Sequence, residues 1–218
     1  MIPLSIISTE QESREWLEQN LNVSRETVER LASFISVLEE EAQHQNLIAP
    51  STFANIWSRH IVDSAQLLSL ARSNGHKPSD GVWLDLGTGA GFPGIVIALI
   101  SEWNVMMVES RARRTEYLER VVEKFELQDN TQIKDVRLEK LDSFPAAVIS
   151  ARAFAPLEKL LTLASRFSTE KTLWLLPKGQ NATNELDGLS RKWQHLFHVK
   201  HSITDEKARI LAGYLTPS

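Results

Sequence analysis

The order of apolar and polar positions divides the chain into a helical front and a longer remainder in which short apolar runs alternate with helices. In residues 1–80 the apolar side chains recur every three or four positions, which is the period of an amphipathic helix. Thr9 with Glu12 predicts the start of a first helix, and Ser24 predicts the start of a second, because these side chains can cap free backbone N–H groups. A third amphipathic helix is predicted over 56–74.

From residue 82 onward the pattern predicts a mostly parallel sheet with helices on both faces, because strands and helices alternate. The predicted strands are 82–86, 104–109, 131–134, 146–150 and 172–176, and the predicted helices are 93–101, 112–126, 155–167 and 181–194. Two further runs, 196–203 and 208–214, have no helix between them and predict an antiparallel pair at the sheet edge. We therefore expect an α/β domain over 81–218, with residues 1–80 as a helical extension packed on it.

The composition is that of an ordinary globular protein, with 42% hydrophobic and 24% charged residues. The sequence contains no cysteine, which excludes disulfides and thiolate metal sites, so we expect no metal centre and a cytoplasmic protein. Residues 1–7 are apolar but have no basic residue before them, unlike a secretory leader. The apolar run 92–100 falls far short of the roughly 20 residues of a membrane span, so we expect no membrane association.

Charge is distributed unevenly along the chain, whose net charge is −4. Residues 151–218 contain 10 basic and 6 acidic residues, whereas the two preceding parts of the chain are acidic. Only this last part is expected to present a basic face to a nucleic acid. Charge alone fits equally well with basic side chains that merely solvate helix faces.

A glycine-rich turn directly after the first predicted strand carries the strongest functional signal. The sequence LDLGTGAGFPG places Gly87, Gly89 and Gly91 at alternate positions, so the backbone can bend tightly and approach a ligand closely. Glu109 ends the second strand, 20 residues after Gly89, where a ribose-binding carboxylate is expected. The pattern predicts a nucleotide-type cofactor at the carboxyl ends of the strands.

Both NAD(P) and S-adenosylmethionine fit this turn. S-adenosylmethionine is favoured because Asp85, two positions before Gly87, can interact with its methionyl ammonium group through a water or a backbone contact. The long helical front also leaves too little chain for the separate substrate domain that many dehydrogenases carry. Leu138 and Glu139, after the third strand, would border the adenine. An NAD(P)-dependent oxidoreductase stays the alternative.

The segment after the fourth strand, ISARAFAPL, lacks the Asn/Asp-Pro-Pro-aromatic clamp of enzymes that methylate exocyclic amines. It contains Arg152 instead, which stays protonated and cannot act as a base but can hold a phosphate or a base-edge acceptor. Guanine N7 is an acceptor that needs no deprotonation, although nitrogens of small molecules or proteins also fit. Pyrimidine C5 chemistry is excluded because it needs a cysteine. Lys178, after the fifth strand, adds a second cation or is a surface lysine.

Taken in order, these segments resemble the RsmG (GidB) family of bacterial 16S rRNA guanine-N7 methyltransferases over nearly the whole chain. The matching pieces are Asn46-Leu47, WSRHIVDS at 57–64, the turn at 84–94, SARAFA at 150–155 and Lys178-Gly179. The resemblance implies a Rossmann-like methyltransferase fold with a seven-stranded sheet and S-adenosylmethionine as cofactor. The implied substrate is a guanine in the decoding-region loop of small-subunit rRNA, within the subunit or its assembly intermediate. We expect a monomer, with a non-catalytic ribosome-assembly factor of the same fold as a further alternative.

The resemblance also implies roles for individual residues. The cofactor pocket would be lined by Gly87, Phe92, Leu138, Glu139 and Arg152. Arg152 and Lys178 would act in catalysis, and Arg59, His60, Asp63 and Lys178 would contact the substrate at the rim. Because Arg59 and Asp63 lie four apart on the predicted third helix, we expect them to pair. The segment 207–210 departs from the family by having fewer cations.

Overall fold

A computed structural model describes residues 6–215, which contain a single seven-stranded sheet with helices on both faces. The strands are β1 (Val82–Leu86), β2 (Asn104–Glu109), β3 (Thr131–Asp135), β4 (Ala146–Ala151), β5 (Leu173–Lys178), β6 (Phe197–His201) and β7 (Arg209–Tyr214). Their order in the sheet is β3-β2-β1-β4-β5-β7-β6. Strands β1 to β5 run parallel, and β7 runs antiparallel to both β5 and β6. The predicted fold class is confirmed, including the antiparallel pair at the edge.

Two apolar cores form because side chains of a strand alternate between the faces of the sheet. The eight α-helices of the described residues are α1 (Glu10–Leu21), α2 (Arg25–Glu41), α3 (Asp63–Ser73), α4 (Gly94–Ile100), α5 (Ala112–Lys124), α6 (Leu157–Ala164), α7 (Ala182–Asp187) and α8 (Arg191–Gln194). Trp83 faces the core shared with α1 to α5, whereas Leu84 and Leu86 face the core shared with α6 and α7. Residues 1–5 lie outside the described residues, and they include most of the apolar segment 1–7 that the sequence distinguishes from a secretory leader.

The N-terminal helices begin where the capping residues predict. Thr9 accepts a hydrogen bond from the Glu12 backbone N–H at 3.2 Å, and Glu12 Oε2 accepts from the Thr9 N–H at 3.0 Å. Ser24 Oγ likewise accepts from the Thr27 N–H at 3.2 Å and begins α2. Both predicted caps are therefore confirmed.

Two predicted helices differ from those in the structure. The third helix does not run as a single α-helix, because a 3₁₀ turn at Pro50–Asn55 and a π-helix at Trp57–Val62 precede α3. Residues 181–194 form the two short helices α7 and α8 instead of one, and the break begins at Gly188. Glycine lowers helix stability by about 1 kcal/mol relative to alanine, which favours an end at that point.

The extension shares its core with the sheet domain. Phe34 of α2 is fully buried, and its ring centroid lies 5.6 Å from that of Phe92 and 6.3 Å from that of Phe125. The boundary near residue 80 stays a prediction about domain organisation. No helix of the described residues is both long and apolar enough to cross a membrane.

We expect Phe34→Ala to lower the free energy of unfolding by about 3–5 kcal/mol, because it leaves a cavity between the extension and the domain. Urea unfolding followed by circular dichroism and by tryptophan fluorescence measures this change. Ser36→Ala, on the exposed side of the same helix, is the control and should change the free energy by less than about 0.5 kcal/mol. Two separate transitions in the wild type would show that the extension unfolds independently.

Candidate active site

The turn after β1 requires glycine. Gly87, Gly89 and Gly91 have φ angles of 65°, 60° and 95°, which residues other than glycine rarely adopt. A Cβ at Gly91 would lie 2.6 Å from Ile95 Cγ1, so the start of α4 packs directly on the turn. The turn therefore brings bare backbone to the carboxyl edge of the sheet, as the sequence predicts.

Asp85 anchors this turn from inside the protein. Its carboxylate is fully buried, with Oδ2 accepting from the Gly94 N–H at 3.0 Å and Oδ1 accepting from Ser150 Oγ at 2.8 Å. Ser150 in turn accepts from Trp83 Nε1 at 2.9 Å. Burial raises the pKa of Asp85, while these hydrogen bonds and the Arg152 cation lower it in part. The carboxylate thus acts on the shape of the turn, and its predicted interaction with the cofactor stays a prediction.

A cavity of about 250 Å³ opens beside the turn. Gly87, Glu109, Leu138 and Glu139 all line it, so the structure brings together four of the predicted cofactor residues. Glu109 Oε1 accepts from the Ser110 and Arg111 N–H groups at 2.8 and 3.0 Å, and its Oε2 lies 3.6 Å from Arg114 Nη1. A carboxylate has about four acceptor positions, so Glu109 keeps capacity for a further donor.

Phe154 is a site residue that the sequence did not single out. A Cβ at Gly87 would lie only 2.5 Å from Cδ2 of the Phe154 ring, so the ring leaves no room for a side chain there. Phe154 also lines both the small cavity and a larger neighbouring one. Ala153 has a φ of 52°, an uncommon conformation for a residue with a side chain, and precedes Phe154 at the end of β4. Only the three-dimensional contact reveals this role, because ARAFA alone gives no sign that Phe154 faces the turn.

The small cavity fits an adenosine moiety in the chemistry of its lining. Leu138 is buried and offers an apolar wall for a base, and Glu109 offers a carboxylate for a ribose hydroxyl. The requirement for glycine at Gly87 also shows that backbone and aromatic ring approach closely beside the cavity. These residues fit S-adenosylmethionine, and its binding to each of them stays a prediction.

Arg152 joins the end of β4 to the π-helix of the extension. Its Nη2 donates to His60 Nδ1 at 2.8 Å, and its Nη1 donates to the Arg59 carbonyl at 3.4 Å. The guanidinium carbon lies 5.2 Å from the centroid of the Phe92 ring, on which the His60 ring also stacks at 4.8 Å. The Phe92 ring therefore packs against both the Arg152 and the His60 side chains. It does not line the small cavity, although the sequence predicts it in the cofactor pocket.

The hydrogen bonds of His60 define its tautomer. Arginine can only donate, so Nδ1 accepts and the proton sits on Nε2, which lies 3.0 Å from Thr52 Oγ1. Burial, and then the cations of Arg152 and Arg59, lower the pKa of His60 to about 3. His60 is therefore a neutral acceptor that orients Arg152.

Arg59 and Asp63 do not form the predicted pair. Arg59 pairs with Asp205, while Asp63 Oδ2 lies 3.8 Å from Arg152 Nη1 and Asp63 Oδ1 accepts from Gln66 at 2.8 Å. The prediction was wrong because the π-helix replaces the α-helical spacing on which the four-residue pairing depends. Burial raises the pKa of Asp63, and the Arg152 cation opposes this effect.

The larger cavity, of about 780 Å³, adjoins the small one at Phe154. It is lined by Asp63, Arg152 and Lys178, so these three predicted residues meet at one site. Lys178 is not a free cation, since its Nζ lies 2.7 Å from Glu185 Oε2 on α7. Arg59, His60, Asp85, Gly89, Gly91 and Phe92 line neither cavity and lie beside or beneath them.

The comparisons with known proteins agree with this geometry. A model of the family "rRNA small subunit methyltransferase G" (GidB) matches residues 27–211. A protein of that name from Novosphingobium aromaticivorans is 50% identical, over 95% of this chain and 89% of its own length. Another from Zymomonas mobilis is 48% identical, over 96% of each chain. This chain belongs to the small-subunit rRNA methyltransferase G family. The predicted resemblance is confirmed, and family membership disfavours the oxidoreductase alternative.

Solved structures show the same fold at low identity. An RNA methyltransferase from Salinibacter ruber, in complex with S-adenosyl-L-homocysteine, has a TM-score of 0.54 at 13% identity, over 71% of this chain and 91% of that one. A putative S-adenosylmethionine-dependent methyltransferase from Methanococcus maripaludis has a TM-score of 0.57 at 13% identity, over 84% and 93%. This chain thus has the fold of S-adenosylmethionine-dependent methyltransferases.

We expect His60 to stay neutral down to about pH 5 and to carry its proton on Nε2, because its pKa is lowered to about 3. Two-bond proton–nitrogen correlation spectra of the ¹⁵N-labelled protein measure both properties. The unfolded chain protonates this histidine near its ordinary pKa of 6.5, so the contribution of His60 to stability falls as the pH falls from about 6.5 to 3. In Arg152→Ala the pKa should rise, since one neighbouring cation is removed. Titration near 6.5 in the wild type would contradict the described contacts.

Proposed function

We propose that this protein transfers the methyl group of S-adenosylmethionine to N7 of a guanine in the 16S rRNA of the small ribosomal subunit. Gly87, Glu109 and Leu138 would hold the cofactor in the small cavity, and the guanine would enter the larger cavity beside Arg152. Family membership and the methyltransferase fold support this activity. The observation that carries the choice of acceptor is that the carboxylates beside Arg152 and Lys178 are already engaged by cations.

Within the described part of the chain, the carboxylates next to Arg152 and Lys178 are already occupied and are not placed to remove a proton. Asp63 accepts hydrogen bonds from Gln66 and Thr204 at one oxygen and faces Arg152 with the other. Glu185 is paired with Lys178. The bound cofactor supplies an electrophilic methyl group, whose bond to sulfur is replaced by a bond to N7 without loss of a proton. An acceptor of this kind matches a site in which the carboxylates next to Arg152 and Lys178 are engaged by these cations.

The contribution of the protein is therefore positioning. Arg152 is held at both ends of its guanidinium group by the π-helix, so it can donate a hydrogen bond to an acceptor atom of guanine with little reorganisation. Phe154, between the two cavities, offers a flat surface beside which a base can stack. A guanine stacked on Phe154 would exclude water from the path of the methyl group.

The form of the substrate and the state of the enzyme are part of the proposal. The enzyme would act as a monomer. The substrate would be the small subunit or its assembly intermediate in the cytoplasm, where the guanine is held by folded rRNA.

Incubation of undermethylated small subunits with methyl-tritiated S-adenosylmethionine tests the proposal, with nucleoside mass spectrometry to identify 7-methylguanosine. We expect one labelled guanine, and Arg152→Ala should lower kcat by about 100-fold or more because the acceptor is no longer positioned. Arg25→Ala, an exposed arginine of α2, is the matched control. Cofactor-saturated enzyme that labels no guanine in any subunit preparation would exclude the activity.

Glu158→Gln tests the absence of a general base. Glu158 is the exposed carboxylate of the large-cavity lining, in the first turn of α6. We expect kcat to change by less than about twofold, whereas removal of a true general base costs about 100-fold or more. A loss of that size, rescued at high pH, would contradict direct transfer to N7.

Lys178→Gln is expected to raise the KM for small subunits with little effect on cofactor affinity, because this cation lies in the larger cavity. Glu185→Gln removes the anionic partner of Lys178 and should lower the same KM. The lysine can then contact the RNA without first breaking its ion pair with Glu185. Initial rates against subunit concentration, with calorimetry of S-adenosylmethionine binding, measure both effects. If the two variants change KM in the same direction, Lys178 acts only through its pair with Glu185.

A further inference from the structure

A cluster of arginines lies at the start of α5, beside the cofactor cavity. Arg111, Arg113 and Arg114 surround a shallow cavity of about 350 Å³, together with Gln45 and Asn46 of the extension. Ser110, the residue directly before this cluster, lines the cofactor cavity itself. The cluster therefore borders the proposed site of methyl transfer.

The extension holds two of these side chains in place. Arg113 Nη2 donates to the His44 carbonyl at 2.9 Å, and Arg114 Nη2 donates to the Asn46 carbonyl at 3.1 Å. Each guanidinium has five N–H groups, so most of its donors stay available. Such contacts fix the direction of the side chain without neutralising its charge.

The positive charge of the cluster is only partly balanced. Glu109, which faces Arg114 at 3.6 Å, is the acidic residue that contacts the cluster. Among the described residues, neither Arg111 nor Arg113 forms an ion pair, and both are exposed. The first turn of α5 contains no acidic residue, although the positive end of a helix dipole favours one. These exposed cations leave a local positive charge at this end of the helix, which an anionic partner would compensate.

The position of the cluster identifies the anion. In the sheet order, β1 and β4 lie between β2, which precedes the cluster, and β5, which ends at Lys178. With strands about 4.8 Å apart, the carboxyl ends of β2 and β5 lie roughly 15 Å from each other along the same edge, on either side of the glycine turn. A strand of a few nucleotides, with its guanine in the larger cavity, can span that distance.

We propose that Arg111, Arg113 and Arg114 bind phosphate groups of the rRNA strand that carries the methylated guanine. This inference rests on the proposed function for the identity of the nucleic acid. Arginine forms bidentate hydrogen bonds with phosphate, and such contacts supply affinity and orientation without reading the base sequence. This surface would complete the substrate site at the same edge of the sheet as Lys178, on the other side of the glycine turn.

The test compares Arg111→Ala and Arg113→Ala with Lys124→Ala, which removes an equal charge from the last turn of the same helix. Affinity for purified small subunits is measured by filter binding at several salt concentrations, without S-adenosylmethionine. We expect each arginine variant to bind several-fold more weakly than wild type and to reduce the slope of log affinity against log salt by about 0.7–0.9. Lys124→Ala should resemble the wild type, and calorimetry should show unchanged S-adenosylmethionine affinity in all variants.

Equal effects of the arginine variants and Lys124→Ala would overturn the surface, because net charge alone would then explain them. A loss of S-adenosylmethionine affinity would also overturn it, since the arginines would then act through Glu109. Because binding is measured without catalysis, the two proposals fail separately. Wild-type protein that binds subunits through these arginines but methylates no guanine would refute the proposed function and leave the surface standing.

Discussion

A cation that is largely removed from water needs partners that satisfy it, and the partners of Arg152 come from the other part of the chain. Its donors meet the Arg59 carbonyl and His60 Nδ1, its charge faces Asp63, and its flat face lies over Phe92. Three of these four residues belong to the helical extension. The extension is thus part of the candidate active site, because without it Arg152 would lack both its hydrogen-bond acceptors and its facing carboxylate.

The glycine turn depends on a second buried group, and the two are connected through β4. Ser150, two residues before Arg152, donates to Asp85, which in turn holds the Gly94 N–H at the start of α4. A shift of this strand would therefore disturb both the cofactor turn and the guanidinium group. Burial raises the pKa of Asp85 and Asp63, whereas it lowers that of His60. In each case burial opposes the charged form, and at the two carboxylates the Arg152 cation acts against this effect.

The sequence predicted those features that follow from local pattern. Strand periodicity, the caps at Thr9 and Ser24, and the glycine turn depend on residues close in the chain, and the structure agrees with each. The pair Arg59–Asp63 was predicted wrongly because nothing in the local spacing encodes a π-helix.

Contacts between distant residues were beyond such reasoning. Thr52 bonds to His60, Phe154 covers Gly87, and Glu185 pairs with Lys178. Each of these depends on how the fold brings separate segments together, and a single sequence contains no periodicity that reports it.

The charge balance along the chain also fails to show where the cations lie in the folded protein. Counted along the chain, only residues 151–218 are basic, so Arg111 and Arg113 lie in a part of the sequence with an acidic balance. A parallel sheet, however, brings the residues that follow each strand to one edge, whatever the charge of the segment that supplies them. Cations at the ends of β2, β4 and β5 therefore lie along the carboxyl edge of an acidic protein. Since a polyanion responds to the local field rather than to net charge, this arrangement would attract RNA to the edge at which we propose that the methyl group is transferred.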